Sequence, residues 1–161
     1  MTIKKFDYIG KIHSEFKDKE GVPIQGALAK DSKGMVEVFP EYKDGLKDIE
    51  GFSHIYLIYE FHRSEGYSLL TKPFLEDVYH GVFATRAPKR PNPIGISIVS
   101  IDEVVENEIH VKEMDILDGT PLIDIKPYVA PFDKRDEASD GWVGEAIKRK
   151  ERHYSDDRFN R

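Results

Sequence analysis

The sequence predicts a mainly β protein, with a single barrel-like sheet domain and a C-terminal helix. Short apolar segments, alternating or continuous, recur along the chain, and turn residues separate them. Only one segment, near the C-terminus, predicts a helix of several turns. A chain of 161 residues is long enough for one domain with a sizeable core. We therefore predict a β-barrel domain over residues 1–135, with residues 136–161 as a helical extension packed on it.

The predicted strands have different patterns. Apolar and polar residues alternate from Phe6 to His13, which is typical of a strand with one buried face. Residues 54–61 are nearly all apolar or aromatic, which predicts a central strand buried on both faces. Residues 40–50 favour one or two helical turns. In chain order, strands are predicted at residues 6–13, 35–39, 54–61, 77–85, 95–105, 109–112 and 122–125.

The segment from Gly141 to Arg152 predicts the C-terminal helix. Trp142, Ala146 and Ile147 have helical spacing, and cations gather toward the C-terminal end, where the helix dipole favours them. We expect the Trp142 face to pack on the sheet.

Composition limits the class of protein. The net charge of −6 argues against a protein that binds nucleic acid indiscriminately, although a local basic patch remains compatible with it. The chain has no cysteine, which excludes disulfides, thiolate metal sites and cysteine nucleophiles. The longest apolar run, residues 55–59, is too short to span a membrane, and no apolar signal core follows the N-terminus. We expect a cytoplasmic protein with no membrane partner.

Common catalytic and cofactor motifs are missing from the sequence. It has no G-x-G-x-x-G after a strand, no phosphate-binding loop with Gly-Lys-Ser/Thr, and no G-x-S-x-G. The six histidines have no metal-ligand spacing, so no metal site is predicted.

The most informative stretch is a proline loop within residues 82–99. Three prolines fix their own φ and hold the preceding residues in extended geometry, which makes the loop stiff. No Asp or Glu occurs from Val78 to Ile101, which favours an anionic or electron-rich ligand. A solvated, Pro-rich connection between strands is the alternative. The loop presents the polar side chains of Arg86, Lys89, Arg90 and Asn92.

Two further loops lie at the ends of predicted strands. One contains Pro23, Ile24 and Gln25 within a long Gly-rich segment, and the other covers residues 118–121. Binding residues on a rigid β scaffold usually lie in such loops, so we expect both to meet the proline loop at one end of the barrel. Taken alone, residues 118–121 are also typical of a simple turn.

Three stretches resemble the signature of one family. They are FATRAPKRPNPIG at residues 83–95, DGTPLIDIKPY at 118–128 and GFSH at 51–54. They resemble the TsaA-like family, whose characterised members are S-adenosylmethionine-dependent tRNA N6-methyltransferases. Those enzymes act on threonylcarbamoyl-adenosine beside the anticodon. The similarity covers most of residues 20–131.

The resemblance implies a site for S-adenosylmethionine. In that site Asp118 would accept hydrogen bonds from the ribose or amino group, and Arg86 would bind the carboxylate. The implied contacts are Pro23, Ile24, Gln25, His62, Arg63, Arg86, Ile96, Asp118, Gly119, Thr120 and Pro121.

The resemblance also implies a tRNA anticodon loop as partner, and a homodimer with the site near the subunit contact. Asn92 and Tyr128 are candidates to hold the target base, and Asp118 or His62 to accept its proton. Asp118, Asn92 and Tyr128 form the candidate catalytic set, and Lys89, Arg90 and Asn92 the candidate RNA contacts.

Two other functions stay open from the sequence. The chain could be an RNA-binding β-barrel without catalysis, or a methyltransferase that acts on a small molecule. The net negative charge favours the small-molecule enzyme.

Overall fold

The computed structural model describes residues 1, 3–18 and 30–159. In this part of the chain, short 3₁₀ helices lie at Pro40–Leu46, Ile49–Gly51 and Val82–Ala84. The strands and α-helices are β1 (Gly10–Ser14), β2 (Lys33–Val38), β3 (His54–Glu60), β4 (Leu70–Thr71), β5 (His80–Gly81), β6 (Ile94–Val105), β7 (Glu108–Lys112), β8 (Thr120–Pro127), α1 (Ala130–Asp133) and α2 (Gly141–Phe159).

Most strands form a closed barrel in the order β1-β2-β7-β6-β3-β8, in which all neighbours are antiparallel. β4 and β5 pair separately as a small two-stranded sheet. This architecture confirms the predicted mainly β, barrel-like fold with a C-terminal helix.

The core lies inside the barrel and follows from the alternation of side chains along each strand. On β3, Ile55, Leu57 and Tyr59 point inward and are buried. The prediction that β3 is buried on both faces is wrong, because its outward residues are only half-buried. A single closed barrel has an inside and an outside, and its outer wall needs no second layer to complete the core.

Antiparallel pairing places three connections at the same end of the barrel. They follow β1, β3 and β7, and we call this end the site end. The connections comprise residues 15–32, 61–93 and 113–119, of which 19–29 lie outside the described residues. The turn between β6 and β7, and the segment that joins β2 to β3, lie at the opposite end.

Two predicted strands differ from the observed ones. The first strand begins at Gly10, and Phe6 before it is exposed. Residues 77–85 contain only the two-residue β5, and the chain then turns into the 3₁₀ helix Val82–Ala84. Backbone hydrogen bonds cause this change: the Val82 N–H binds the Leu69 carbonyl, and the Thr85 N–H binds the Val82 carbonyl.

The C-terminal helix α2 is longer than the predicted 141–152, and its Trp142 face packs on the small sheet. The indole ring stacks on His80, with centroids 4.5 Å apart and planes at 14°. The indole N–H donates to the Ala84 carbonyl at 2.8 Å. Arg149 binds the carboxylate of Glu76, which also binds His80. The helix is therefore fixed to the connection between β3 and β6. Among the described residues, no helix is both long and apolar enough to cross a membrane.

Gly95 allows β6 to lie against an aromatic ring of β3. It is paired with Tyr59 across the two strands. A methyl group at Gly95 would lie 2.3 Å from Cε2 and 2.6 Å from Cζ of Tyr59, and 2.9 Å from Cζ of Phe61. The two rings pack edge to face, with centroids 5.5 Å apart. Only glycine therefore fits this position without moving the rings.

We expect Gly95→Ala to lower the free energy of unfolding by about 1–3 kcal/mol, because the added methyl group forces the Tyr59 ring to move. Urea denaturation would measure the change. Gly51→Ala is the matched control, since nothing lies within 4 Å of a methyl group there. Equal losses in the two variants would contradict the role of the ring contact.

Candidate functional site

The site end brings together most of the residues singled out in the sequence. Pro121 and Ile96 lie just inside the strands that begin there. Pro23, Ile24 and Gln25 belong to a connection at the same end but lie outside the described residues. The residues placed on the described parts of these connections, or on the first residue of β8, are His62, Arg63, Arg86, Lys89, Arg90, Asn92, Asp118, Gly119 and Thr120.

Asp118 is held as an ionised hydrogen-bond acceptor. Its Oδ1 accepts from the Ser14 N–H at 3.0 Å, and its Oδ2 lies 2.8 Å from Lys17 Nζ. The Lys17 hydrogen bond is the main cause that lowers the pKa of Asp118, with a further contribution from the Ser14 N–H. The next residue, Gly119, has φ of +80°, a left-handed conformation that favours glycine at this turn. A carboxylate with a lowered pKa is a good acceptor and a poor proton carrier.

The surroundings of His62 favour its neutral form, although the residue as a whole is exposed. Partial desolvation of the imidazole is the main cause that lowers the pKa of His62 below 6.5, and the charge of Arg63 acts in the same direction. Its Nδ1 lies 3.4 Å from the hydroxyl of Thr120, which itself donates to the Leu117 carbonyl at 2.6 Å. Because the Thr120 proton is used in this way, Nδ1 of His62 is the donor to Thr120 and Nε2 carries the lone pair.

The proline loop is folded around Arg90. The guanidinium Nη1 donates to the carbonyls of Thr85 at 3.0 Å and Ala87 at 3.2 Å, and reaches the Val82 carbonyl at 3.5 Å. The Thr85 hydroxyl adds a bond to the Val82 carbonyl at 2.8 Å. Backbone carbonyls therefore hold Nη1 of Arg90. A phosphate contact through the other guanidinium N–H groups stays a prediction. Lys89 beside it is exposed.

A buried polar chain near the site end was not predicted from the sequence. The hydroxyl of Tyr59 lies 2.9 Å from Ser97 Oγ, which donates to Asp115 Oδ1 at 2.6 Å. Ser97 points inward on β6. A serine at a core position of an alternating strand could have indicated this polar chain from the sequence. No pattern in the sequence indicated that Asp115 would belong to this chain. Asp115 also brings an acidic group to the stretch 78–101, which has none in its own sequence.

Arg86 lies within electrostatic reach of this chain. Burial is the main cause that raises the pKa of Tyr59; the negative charge of Asp115 raises that pKa further, and the positive charge of Arg86 lowers it. The two opposite charges therefore act on one buried hydroxyl.

Tyr128 lies at the opposite end of the barrel from this site. It follows β8, whose eight residues extend over roughly 25 Å at about 3.3 Å per residue. Its N–H donates to the His54 carbonyl, and its ring packs against His54 and Tyr56. Within one chain, the structure does not bring Tyr128 together with Asn92 and Asp118. Tyr128 follows β8 at the opposite end, whereas Asp118 precedes β8 and Asn92 precedes β6 at the site end.

Ile96 faces outward on β6. Together with Ile94 and Ile98 it forms an apolar row on the outer wall, with each side chain more than 40% exposed. Tyr56 and Ile58 lie opposite this row on β3. β7 pairs with β6 only from Ser100 onward, so β3 alone pairs with residues 94–99 among the described barrel strands.

The family model that matches this chain is the tRNA-methyltransferase O N-terminal domain, over residues 11–134. A relative from Pyrococcus abyssi, named a probable S-adenosyl-L-methionine-binding protein, is 55% identical over 94% of this chain and 82% of its own length. The tRNA (adenine(37)-N6)-methyltransferase of Escherichia coli is 37% identical over 82% of this chain and 60% of its own length.

A solved structure also resembles this fold. TrmO from Pseudomonas aeruginosa is 36% identical and superimposes with a TM-score of 0.74, over 88% of this chain. The present chain spans about three fifths of the length of that protein and of the Escherichia coli enzyme. The TsaA-like resemblance is confirmed, and the chain belongs to the family of the tRNA-methyltransferase O N-terminal domain.

Proposed function

We propose that this protein is an S-adenosylmethionine-dependent tRNA methyltransferase that methylates N6 of threonylcarbamoyl-adenosine next to the anticodon. The observation that supports it best is that the proline loop and residues 118–121 meet at one end of the barrel. The relatives from Escherichia coli and mouse, both named tRNA (adenine(37)-N6)-methyltransferase, support the same activity. We assign the protein to the cytoplasm, where this substrate would be available.

The residues at the site end fit S-adenosylmethionine, which carries a carboxylate, an amino group and ribose hydroxyls. Arg86 would bind the carboxylate, and the ionised Asp118 would accept from the amino group or ribose. Residues 23–25 and Arg63 complete the proposed set. When bound, S-adenosylmethionine supplies an electrophilic methyl group.

The acceptor nitrogen needs help from a base. A nitrogen that bears a carbamoyl group has a delocalised lone pair, so removal of its proton makes it a better nucleophile. His62 is the better candidate for this proton, because its lowered pKa keeps Nε2 unprotonated at neutral pH. Asp118 is the weaker one, because its carboxylate is already stabilised by Lys17 and Ser14. Asn92, exposed in the proline loop, would orient the base.

The proposed RNA contact is local and lies on the proline loop. Lys89 is exposed, and its carbonyl accepts from the Ser68 N–H at 3.3 Å, which fixes its backbone. An exposed lysine on a backbone that is held in place can bind the phosphates of single-stranded RNA. This arrangement is compatible with the overall negative charge, since phosphates respond to nearby charges.

A second copy of the chain is the proposed occupant of the outer row formed by Ile94, Ile96 and Ile98. An exposed apolar row on a strand with one unpaired edge favours association. Ile96 is also a proposed cofactor contact, so a homodimer formed here would place the site near the subunit contact.

The purified protein should transfer label from methyl-labelled S-adenosylmethionine to N6 of tRNA that carries threonylcarbamoyl-adenosine. The same tRNA without that modification, and a pool of small metabolites, are the parallel substrates. Label found only in metabolites would instead indicate a small-molecule methyltransferase. Binding of tRNA without any binding of the donor would indicate a non-catalytic RNA-binding module.

Lys89→Ala should weaken tRNA binding and reduce the slope of log affinity against log salt by about 1, because one phosphate contact is lost. Donor binding measured by calorimetry should stay unchanged. Lys47→Ala is the matched control, since Lys47 is exposed in the segment between β2 and β3 at the opposite end. Identical salt slopes for wild type and Lys89→Ala would exclude this contact.

The rate of methyl transfer should fall as pH drops through the pKa of His62 and stay level above it. The unprotonated form is the active one, and the lowered pKa extends the level region below pH 6.5. His62→Gln should reduce kcat roughly 100-fold or more and remove this pH dependence. His110→Gln, on β7 beside Glu108, is the control. An unchanged pH profile in His62→Gln would rule out His62 as the base.

A further inference from the structure

A buried chain of hydroxyl and carboxyl groups connects the inside of the barrel to the site end. Tyr59 and Ser97 are 6% and 3% exposed, and they are joined at 2.9 Å. Ser97 gives its only hydroxyl proton to Asp115 at 2.6 Å, so Tyr59 donates to Ser97. The Asp115 carboxylate is therefore anchored from inside the barrel.

The anchoring is tight because neighbouring groups leave Tyr59 little freedom. Its ring lies against Gly95, where even a methyl group would not fit, and packs edge to face on Phe61. A ring held on two sides fixes the position of its hydroxyl. Ser97, on the strand next to that ring, then fixes Oδ1 of Asp115.

Arg86 and Asp115 lie in two of the connections that meet at the site end. Their charges act on the same Tyr59 hydroxyl with opposite signs. A guanidinium on a long flexible side chain binds an anion more tightly when a fixed carboxylate has already ordered it.

We propose that Asp115 is a positioning residue, which is anchored by the buried Ser97–Tyr59 pair and orients Arg86 toward the carboxylate of S-adenosylmethionine. This role rests on the proposed function. It adds Asp115, Ser97 and Tyr59 to the cofactor site as groups that act through Arg86 and do not touch the ligand. The competing role is purely structural, in which the chain only satisfies polar groups in the core.

Two ligands distinguish these roles: S-adenosylmethionine and its decarboxylated form, which lacks the group that Arg86 would bind. Calorimetry should show that Asp115→Asn weakens binding of S-adenosylmethionine roughly tenfold, the scale of one charge-assisted interaction. Binding of the decarboxylated ligand should change less than about twofold, since the ordered guanidinium has no partner on it. Arg86→Ala should show the same selective loss, and Ser97→Ala a smaller one of the same kind.

Asp102→Asn is the matched control, because Asp102 lies on β6, the strand that carries Ser97, and pairs with Lys112 at 3.6 Å in an exposed position. Thermal unfolding of each variant checks that it is folded; if Asp115→Asn does not fold, Ser97→Ala decides the question with the same two ligands. Equal losses for both ligands, or no loss for either, would overturn the positioning role. A wild-type protein that binds neither ligand would overturn the proposed function itself, which is a different result.

Discussion

Closure of a small antiparallel barrel is the constraint on which the rest of this structure depends. Neighbouring strands of such a barrel run in opposite directions. The segments after β1, β3 and β7 must therefore lie at the same end. Residues far apart in sequence become neighbours for this reason alone. The ionised Asp118, the neutral His62 and the proline loop share one end because pairing of the strands places them there.

Some side chains at the site end bind the backbone of their own loops, and others are exposed to solvent. Arg90 binds carbonyls of its own loop, and Thr85 closes the preceding turn, so the loop is ordered before any ligand arrives. Lys89 is left exposed by the same fold. Preorganisation of this kind lowers the entropy that a binding site loses when it takes up a ligand.

Much of the barrel could be predicted because its strands alternate clearly, as in β6 and β7. The predictions failed where distant contacts outweighed local pattern. Residues 77–85 favour a strand by composition, but hydrogen bonds to Leu69 and from Trp142 stabilise a two-residue strand and a 3₁₀ turn instead. Site residues that lie in motifs could be predicted from the sequence. Asp115 could not, because only the pairing of the strands brings it close to Ser97. The carbonyl contacts of Arg90 could not be predicted, because a guanidinium suits carbonyls and phosphates equally well.

The attachment of helix α2 has a mechanical consequence. Because Trp142 and Arg149 bind groups in the connection between β3 and β6, any movement of that connection would carry the helix with it. The 19 residues of the helix extend over roughly 28 Å at about 1.5 Å per residue. A tilt of a few degrees in the connection would therefore displace the far end of helix α2 by about an ångström or more.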